Sequence, residues 1–214
     1  MIPQTAAVYI LDNDEDVRDM LTRLVRSLGY HPELFWDAKS LLAAPTPEHC
    51  ACVIVDAWLP GMSGLDILRE LRGRGLDVPV VMTSGYPDVT LAVDAMKIGA
   101  YDFIEKPLSF QRMREAIQGA IELDENQRES RRRVGGMRER LEGLSKREYE
   151  VLEQVAAGLG SSEIAVRLGI QTKTVEVHRS HINKKMKARN TADLVRMFHC
   201  IQTDVGALVD RQTV

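Results

Sequence analysis

The chain has 214 residues, 44% hydrophobic and 28% charged, which suits a soluble globular protein of one or two domains, each able to bury its own core. Three cysteines are too few for a disulfide framework, nothing at the N-terminus reads as a signal peptide, and apolar runs such as Ala51–Val55 are strand-sized, so a secreted stapled fold and a membrane span are both excluded and the cytoplasm is expected. The net charge of −3 averages two unlike parts: residues 1–120 hold 11 Lys/Arg against 17 Asp/Glu, while residues 121–214 hold 17 against 14, which implies two partners of opposite character.

The first 120 residues alternate between strand and helix signals. Ala7–Leu11 is an apolar run, followed by a helical pattern through Val17, Leu21, Leu24, Val25 and Leu28 that stops at Gly29. His31–Phe35 is a weaker strand, and Asp37 caps a short helix through Leu41 and Leu42. Ala51–Val55 is a third strand; Pro60-Gly61-Met62-Ser63-Gly64 makes a loop before a helix over Leu65–Leu71. Val78–Thr83 is a fourth strand, Val89–Ile98 a helix ended by Gly99, Tyr101–Ile104 a fifth strand, and a last helix starts at Phe110. This alternation predicts an α/β fold, a five-stranded parallel sheet with helices on both faces.

From Ile121 to Glu142 the sequence turns to Glu, Arg, Gln and Ser, with Arg131, Arg132 and Arg133 in succession. These residues favour helix, so the stretch extends the fifth helix, with Gly135-Gly136 as the expected break; a disordered charged linker is the alternative. After Leu144 the pattern is all helical. Ser145-Lys146-Arg147-Glu148 has the form of a capping box, opening a helix that buries Val151, Leu152 and Val155 and stops near Gly158. Ser161–Leu168 is a short helix, Gly169–Gln171 a turn, Thr172–Lys187 a longer helix with Val175, Ile182 and Met186 inward, and Thr191–Cys200 the last.

In a doubly wound sheet, ligands sit outside the carboxyl ends of the strands. Asp12-Asn13-Asp14, Asp56, Thr83-Ser84 and Lys106-Pro107 follow strands one, three, four and five, so they converge. Clustered carboxylates repel unless a cation joins them, and hard oxygen ligands favour Mg2+. With a lysine and a hydroxyl beside it, the cluster suits phosphoryl transfer to Asp56 as nucleophile. The bland alternatives are that the acids after strand one merely start a helix, and that Trp58 is surface packing rather than a shield over an acyl phosphate. His49-Cys50-Ala51-Cys52 has the look of a metal site, but Cys52 opens a buried strand and core thiols are expected.

On Asp12-Asn13-Asp14, Asp56, Leu59-Pro60-Gly61-Met62-Ser63-Gly64, Ser84, Phe103 and Lys106-Pro107, residues 5–120 resemble the receiver domain of two-component response regulators, a flavodoxin-like fold. The resemblance implies that Asp56 accepts the phosphoryl group, that Ser84 and Phe103 form a switch pair, that Lys106 binds the phosphoryl group, that the Lys106-Pro107 bond is cis, and that Asp12, Asn13, Asp56 and the Trp58 backbone carbonyl hold Mg2+. Aligned on Arg18, Asn13 falls where the family places an acid, which implies weaker Mg2+ affinity unless Asp14 swings in.

The helices at Ser161–Leu168 and Thr172–Lys187 make a helix-turn-helix. Residues 161–190 hold seven basic residues against Glu163 and Glu176. Lys173, Thr174, Glu176, Val177 and Ser180 are the candidates for base-edge contact, and Arg179, Lys184 and Lys185 for phosphates. His178 and His181 have no third ligand nearby and are expected to face the surface or DNA rather than a metal. Leu144–Glu148, Glu163-Ile164-Ala165, Leu168-Gly169-Ile170 and Thr174–His178 resemble the LuxR-type DNA-binding domain, and the whole order resembles the FixJ subgroup of the NarL/FixJ regulators. That implies a receiver over 1–120, a helical linker over 121–142 and an all-α four-helix LuxR-type domain over 143–214. A sensor histidine kinase, promoter DNA, a second copy of the chain on phosphorylation and RNA polymerase are the implied partners, with no membrane. The rivals are an aspartate-nucleophile phosphatase, which typically carries a second acid where Trp58 stands, and a phosphate-independent DNA-binding protein, which Asn13 makes thinkable.

Overall fold

The computed structural model describes residues 6–44, 50–86 and 88–210, with side chains described as far as Thr203. The chain divides into two compact units, residues 1–127 and 128–214. In the first, β1 (Ala7–Leu11), β2 (His31–Phe35), β3 (Cys50–Asp56), β4 (Val80–Ser84) and β5 (Asp102–Glu105) pair in parallel in the order β2-β1-β3-β4-β5. Aliphatic residues fill both faces of β1, β3 and β4, which are buried throughout, as central parallel strands require. One core packs the sheet against α2 (Ala38–Ala43), α3 (Gly64–Gly73) and α4 (Val89–Ile98) through Leu41, Ile67, Leu68, Leu71 and Ala95. The other packs it against α1 (Glu15–Ser27) and α5 (Phe110–Glu142) through Leu21, Leu24, Met113, Ile117 and Ile121. Asp37 caps α2 through the Ser40 N–H, and Gly99 ends α4 at φ 105°, a conformation glycine adopts without strain.

The predicted break at Gly135-Gly136 does not occur: α5 runs unbroken for 33 residues. Two interior glycines disfavour helix by about 2 kcal/mol relative to alanine. Packing at the helix's two ends outweighs this: Ile117 and Ile121 are buried in the first unit, and Met137 and Leu141 pack on the core of the second.

That second core is built by α6 (Lys146–Ala156), α7 (Ser161–Leu168), α8 (Thr172–Met186) and α9 (Thr191–Asp210). The capping box forms in full: the Glu148 N–H donates to Ser145 Oγ and the Ser145 N–H donates to the Glu148 carboxylate at 2.7 Å. Val151, Leu152, Val155, Val175, Ile182 and Met186 are buried as expected. The last helix continues ten residues past the expected Cys200, and Ile201 prolongs the buried stripe of Leu194, Met197 and Phe198. Lys187, the residue closing α8, stands at φ 57°, in the left-handed region.

Candidate functional site

The sheet order brings the carboxyl ends of β1, β3, β4 and β5 side by side, and backbone bonds fix their register. The Ala57 N–H donates to the Thr83 carbonyl at 2.7 Å, and the Lys106 N–H to the Ser84 carbonyl at 2.8 Å. Asp12 and Asp56 therefore sit on neighbouring strand ends, 1% and 5% exposed. The Lys106 ammonium lies between them, 2.6 Å from Asp56 Oδ2 and 2.8 Å from Asp12 Oδ2. The peptide bond that follows it, Lys106–Pro107, is cis. Burial pushes the Asp12 carboxyl above its ordinary range, more than the Lys106 ammonium and the Asp14 N–H pull it down. Burial alone would depress Lys106, but its hydrogen bonds to Asp12 and Asp56 prevail and raise it.

These groups open into a cleft of about 360 Å³ whose walls include Asn13, Asp14, Asp56, Trp58, Tyr86 and Lys106. The Trp58 N–H donates to Asp56 Oδ1 at 3.0 Å, orienting the carboxylate, while the indole remains 57% exposed at the mouth. Asn13 is exposed at the rim. Asp14 does not turn inward: its Oδ1 accepts the N–H groups of Asp16 at 2.9 Å and Val17 at 3.3 Å, capping α1. Ser84 is fully buried, and its hydroxyl donates to the Tyr86 carbonyl at 3.1 Å. Phe103 is half-buried and packs on the core beneath α4.

Three supports of the cleft escaped the sequence reading. Gly64 lies so close to β3 that a Cβ would stand 2.4 Å from the Asp56 carbonyl oxygen, and its N–H donates to the Ala57 carbonyl at 3.0 Å. The Arg18 guanidinium donates to the Asp12 carbonyl at 2.7 Å, and Trp36 covers it with the guanidinium carbon 4.4 Å from the ring centroid, a cation–π contact. Their signals were present, Gly64 inside a loop motif and Arg18 used only as an alignment mark, but neither contact is local in sequence.

The donor set suits a hard divalent cation: two carboxylates and an amide oxygen, with the buried Asp12 Oδ2 having no partner but the Lys106 ammonium. Among the described residues no three His, Cys, Asp or Glu side chains are grouped so that they could hold a metal ion. His49 lies outside the described residues; Cys50 and Cys52 are buried, as core thiols are expected to be.

In the second unit, α7 and α8 meet at Gly169, φ 65°, in a helix-turn-helix. Lys173, Thr174, Glu176, Val177, Ser180 and Lys184 are exposed on α8. Arg179 is half-buried, its guanidinium 3.4 Å from Ser161 Oγ and 3.2 Å from Thr191 Oγ1. Lys185, expected to reach phosphate, instead pairs with the buried Glu148 carboxylate at 2.7 Å and reaches the Gly143 carbonyl at 3.3 Å, because α6 places that buried acid beneath it. Burial would raise Glu148, but hydrogen bonds from Lys185 and Ser145 outweigh it and hold the carboxyl at about 2.

A carboxylate pair bridged by lysine at the carboxyl edge of a parallel sheet, followed in the chain by a helix-turn-helix, defines a receiver domain coupled to a DNA-binding module. Residues 8–118 match the response regulator receiver domain, and residues 142–198 match the bacterial regulatory proteins of the luxR family. Among curated relatives, Nodulation protein W of Bradyrhizobium diazoefficiens is 38% identical over 90% of this chain and 85% of its own length. Response regulator protein TodT of Pseudomonas putida is 40% identical over 92% and 87%, and the transcriptional regulatory protein FixJ of Azorhizobium caulinodans 39% over 92% and 93%. The solved structure of response regulator StyR aligns with a TM-score of 0.81 at 33% identity, covering 92% of this chain and 99% of that one. The chain belongs to the two-component response regulators with a LuxR-type DNA-binding domain, transcription regulators and not enzymes. Among the described residues no helix is long and apolar enough to cross a membrane.

Proposed function

We propose that this regulator is switched by phosphorylation of Asp56. A sensor histidine kinase presents a phosphohistidine to the cleft; an Asp56 carboxylate oxygen attacks phosphorus, the P–N bond breaks, and the imidazole leaves with the electron pair. The observation that supports this most is Lys106 Nζ at 2.6 Å from Asp56 Oδ2, where an ammonium neutralises charge on the transferring group. Asp12, Asn13, Asp56 and the Trp58 carbonyl would hold Mg2+, which supplies further charge neutralisation to phosphoryl oxygens. The Ser84 hydroxyl then exchanges the Tyr86 carbonyl for a phosphoryl oxygen, and Phe103 repacks.

The exposed face of α4 is the surface this change acts on: Val89, Val93 and Met96, at helical spacing, are 80%, 43% and 49% exposed. A second copy of the chain covers it, and two copies read two half-sites of promoter DNA. In that reading residues 1–120 are the receiver, 121–142 a helical linker and 143–214 the DNA-binding domain. Lys173, Thr174, Glu176, Val177 and Ser180 reach base edges, Arg179 and Lys184 phosphates, and RNA polymerase is the downstream partner. Incubating the full chain with acetyl phosphate and Mg2+ should add one phosphoryl group by intact mass, shift the chain towards a dimer in gel filtration and tighten a promoter gel shift, all three lost in Asp56→Asn. Uptake that persists in Asp56→Asn, or DNA binding indifferent to the donor, overturns the proposal. The latter outcome is what a second reading, favoured by Asn13, requires: a receiver that serves only as a dimer scaffold.

A further inference from the structure

Six of the described helices, α1, α3, α4, α6, α7 and α8, end in the same way. A residue just past the helix turns left-handed and its N–H donates to the carbonyl three positions back. The next N–H donates five positions back, as Tyr30 does to the Val25 carbonyl at 3.1 Å and Ala188 to the Asn183 carbonyl at 2.9 Å. Five of these endings place glycine at the left-handed position: Gly29, Gly75, Gly99, Gly158 and Gly169. The sixth, after α8, places Lys187 there, the one non-glycine residue of positive φ among the described residues. A side chain in this conformation crowds the following carbonyl, which glycine avoids. The second helix of the helix-turn-helix thus tolerates a strain absent from the other five, and a retained strain points to a use for the side chain.

That use lies outside the fold. Among the described residues no carboxylate pairs with Lys187, whereas its basic neighbours are neutralised, Lys185 by Glu148 at 2.7 Å and Arg189 by Asp193 at 3.1 Å. A cation also suits the negative end of a helix dipole, but Lys184 and Lys185 already occupy the last turn of α8. Steps of three or four residues lead from Lys173 through Val177, Ser180 and Lys184 to Lys187, all of them exposed, so the ammonium prolongs one face of the helix. We infer that Lys187 contacts a DNA phosphate, and that lysine stands in a glycine conformation because its charge is needed there. The inference rests on the reading that α8 faces DNA and adds a residue to that surface. Stability and DNA affinity then oppose each other at this position, glycine suiting the backbone and lysine the polyanion.

The test uses the full chain treated with acetyl phosphate and Mg2+, as wild type, Lys187→Gly, Lys187→Gln and, for comparison, Lys184→Ala. Binding to a fluorescein-labelled duplex of mixed sequence is followed by anisotropy across a range of NaCl, and urea unfolding by far-UV circular dichroism. Lys187→Gly should unfold at higher urea than wild type and yet bind the duplex more weakly, roughly eightfold per copy at about 0.1 M salt. Its slope of log affinity against log salt should be shallower by about 1 per copy. Lys187→Gln keeps the left-handed strain without the charge, so it should lose the same affinity with no gain in stability. Wild-type affinity and slope in Lys187→Gly or Lys187→Gln overturn the inference while Lys184→Ala still weakens binding. A Lys187→Gly chain that unfolds at lower urea than wild type overturns it too, because lysine then serves the fold. If wild type does not bind the duplex, or neither lysine affects binding, the reading of α8 as the DNA-facing helix fails and the inference with it.

Discussion

Replacing Glu148 with glutamine tests how the DNA-reading helix is held. The carboxylate is 4% exposed, accepts the Ser145 N–H at 2.7 Å within the capping box, and pairs with Lys185 of α8 at 2.7 Å. Glutamine keeps the volume and an acceptor for Ser145 but removes the charge. A carboxyl held at about 2 rather than 4.5 corresponds to an upper bound of about 3 kcal/mol at neutral pH. The Lys185 side chain is 44% exposed, and solvent screening reduces the expected loss to about 1–2 kcal/mol. Both tryptophans, Trp36 and Trp58, lie in the first unit. In urea, therefore, the circular dichroism transition of the helical second unit should move to lower denaturant in Glu148→Gln while the tryptophan fluorescence transition stays put. Because the folded carboxyl is depressed, its stabilisation is complete above 4.5 and fades as pH falls through about 2. The difference between the two proteins should accordingly shrink as the pH is lowered through that window. Coincident transitions at neutral pH, or a difference undiminished in acid, would refute the Lys185–Glu148 account.

Other substitutions probe the cleft and the basic face. Gly64→Ala puts a methyl group 2.4 Å from the Asp56 carbonyl oxygen, so β3 or α3 must shift; expected are a loss of about 2 kcal/mol in the fluorescence transition and slower uptake from acetyl phosphate. Trp58→Asn uncovers the mouth of the cleft and should shorten the lifetime of the phosphorylated chain, followed by intact mass; an unchanged lifetime disposes of the shielding role. Lys184→Ala, at an exposed position of α8, should weaken binding evenly across DNA sequences and reduce the slope of log affinity against log salt by about 1. Lys185→Ala should act mainly on stability.

The strand ends were legible because parallel strands buried on both faces are almost wholly apolar, as Val8–Leu11 and Cys52–Val55 are, so the polar residue that ends each run marks the site edge. Ser145, Asp37 and Gly99 were legible because caps are written within a few residues of the backbone they serve. What escaped was set by contacts distant along the chain. The Arg18–Trp36 pair joins α1 to the end of β2, Lys185 meets an acid 37 positions earlier, and the α5 glycines are overruled by cores on either side. Propensity alone put the break at Gly135, and tertiary packing decided otherwise.

The adjacent glycines Gly135 and Gly136 set where α5 is weakest. Neither is crowded, since a Cβ at Gly135 meets nothing within 4 Å and one at Gly136 meets only the tip of Arg140, 3.8 Å away. Amide hydrogens around Gly135 should exchange with deuterium before those of either flank, and limited proteolysis should cut there to release two fragments that each retain an intact interior.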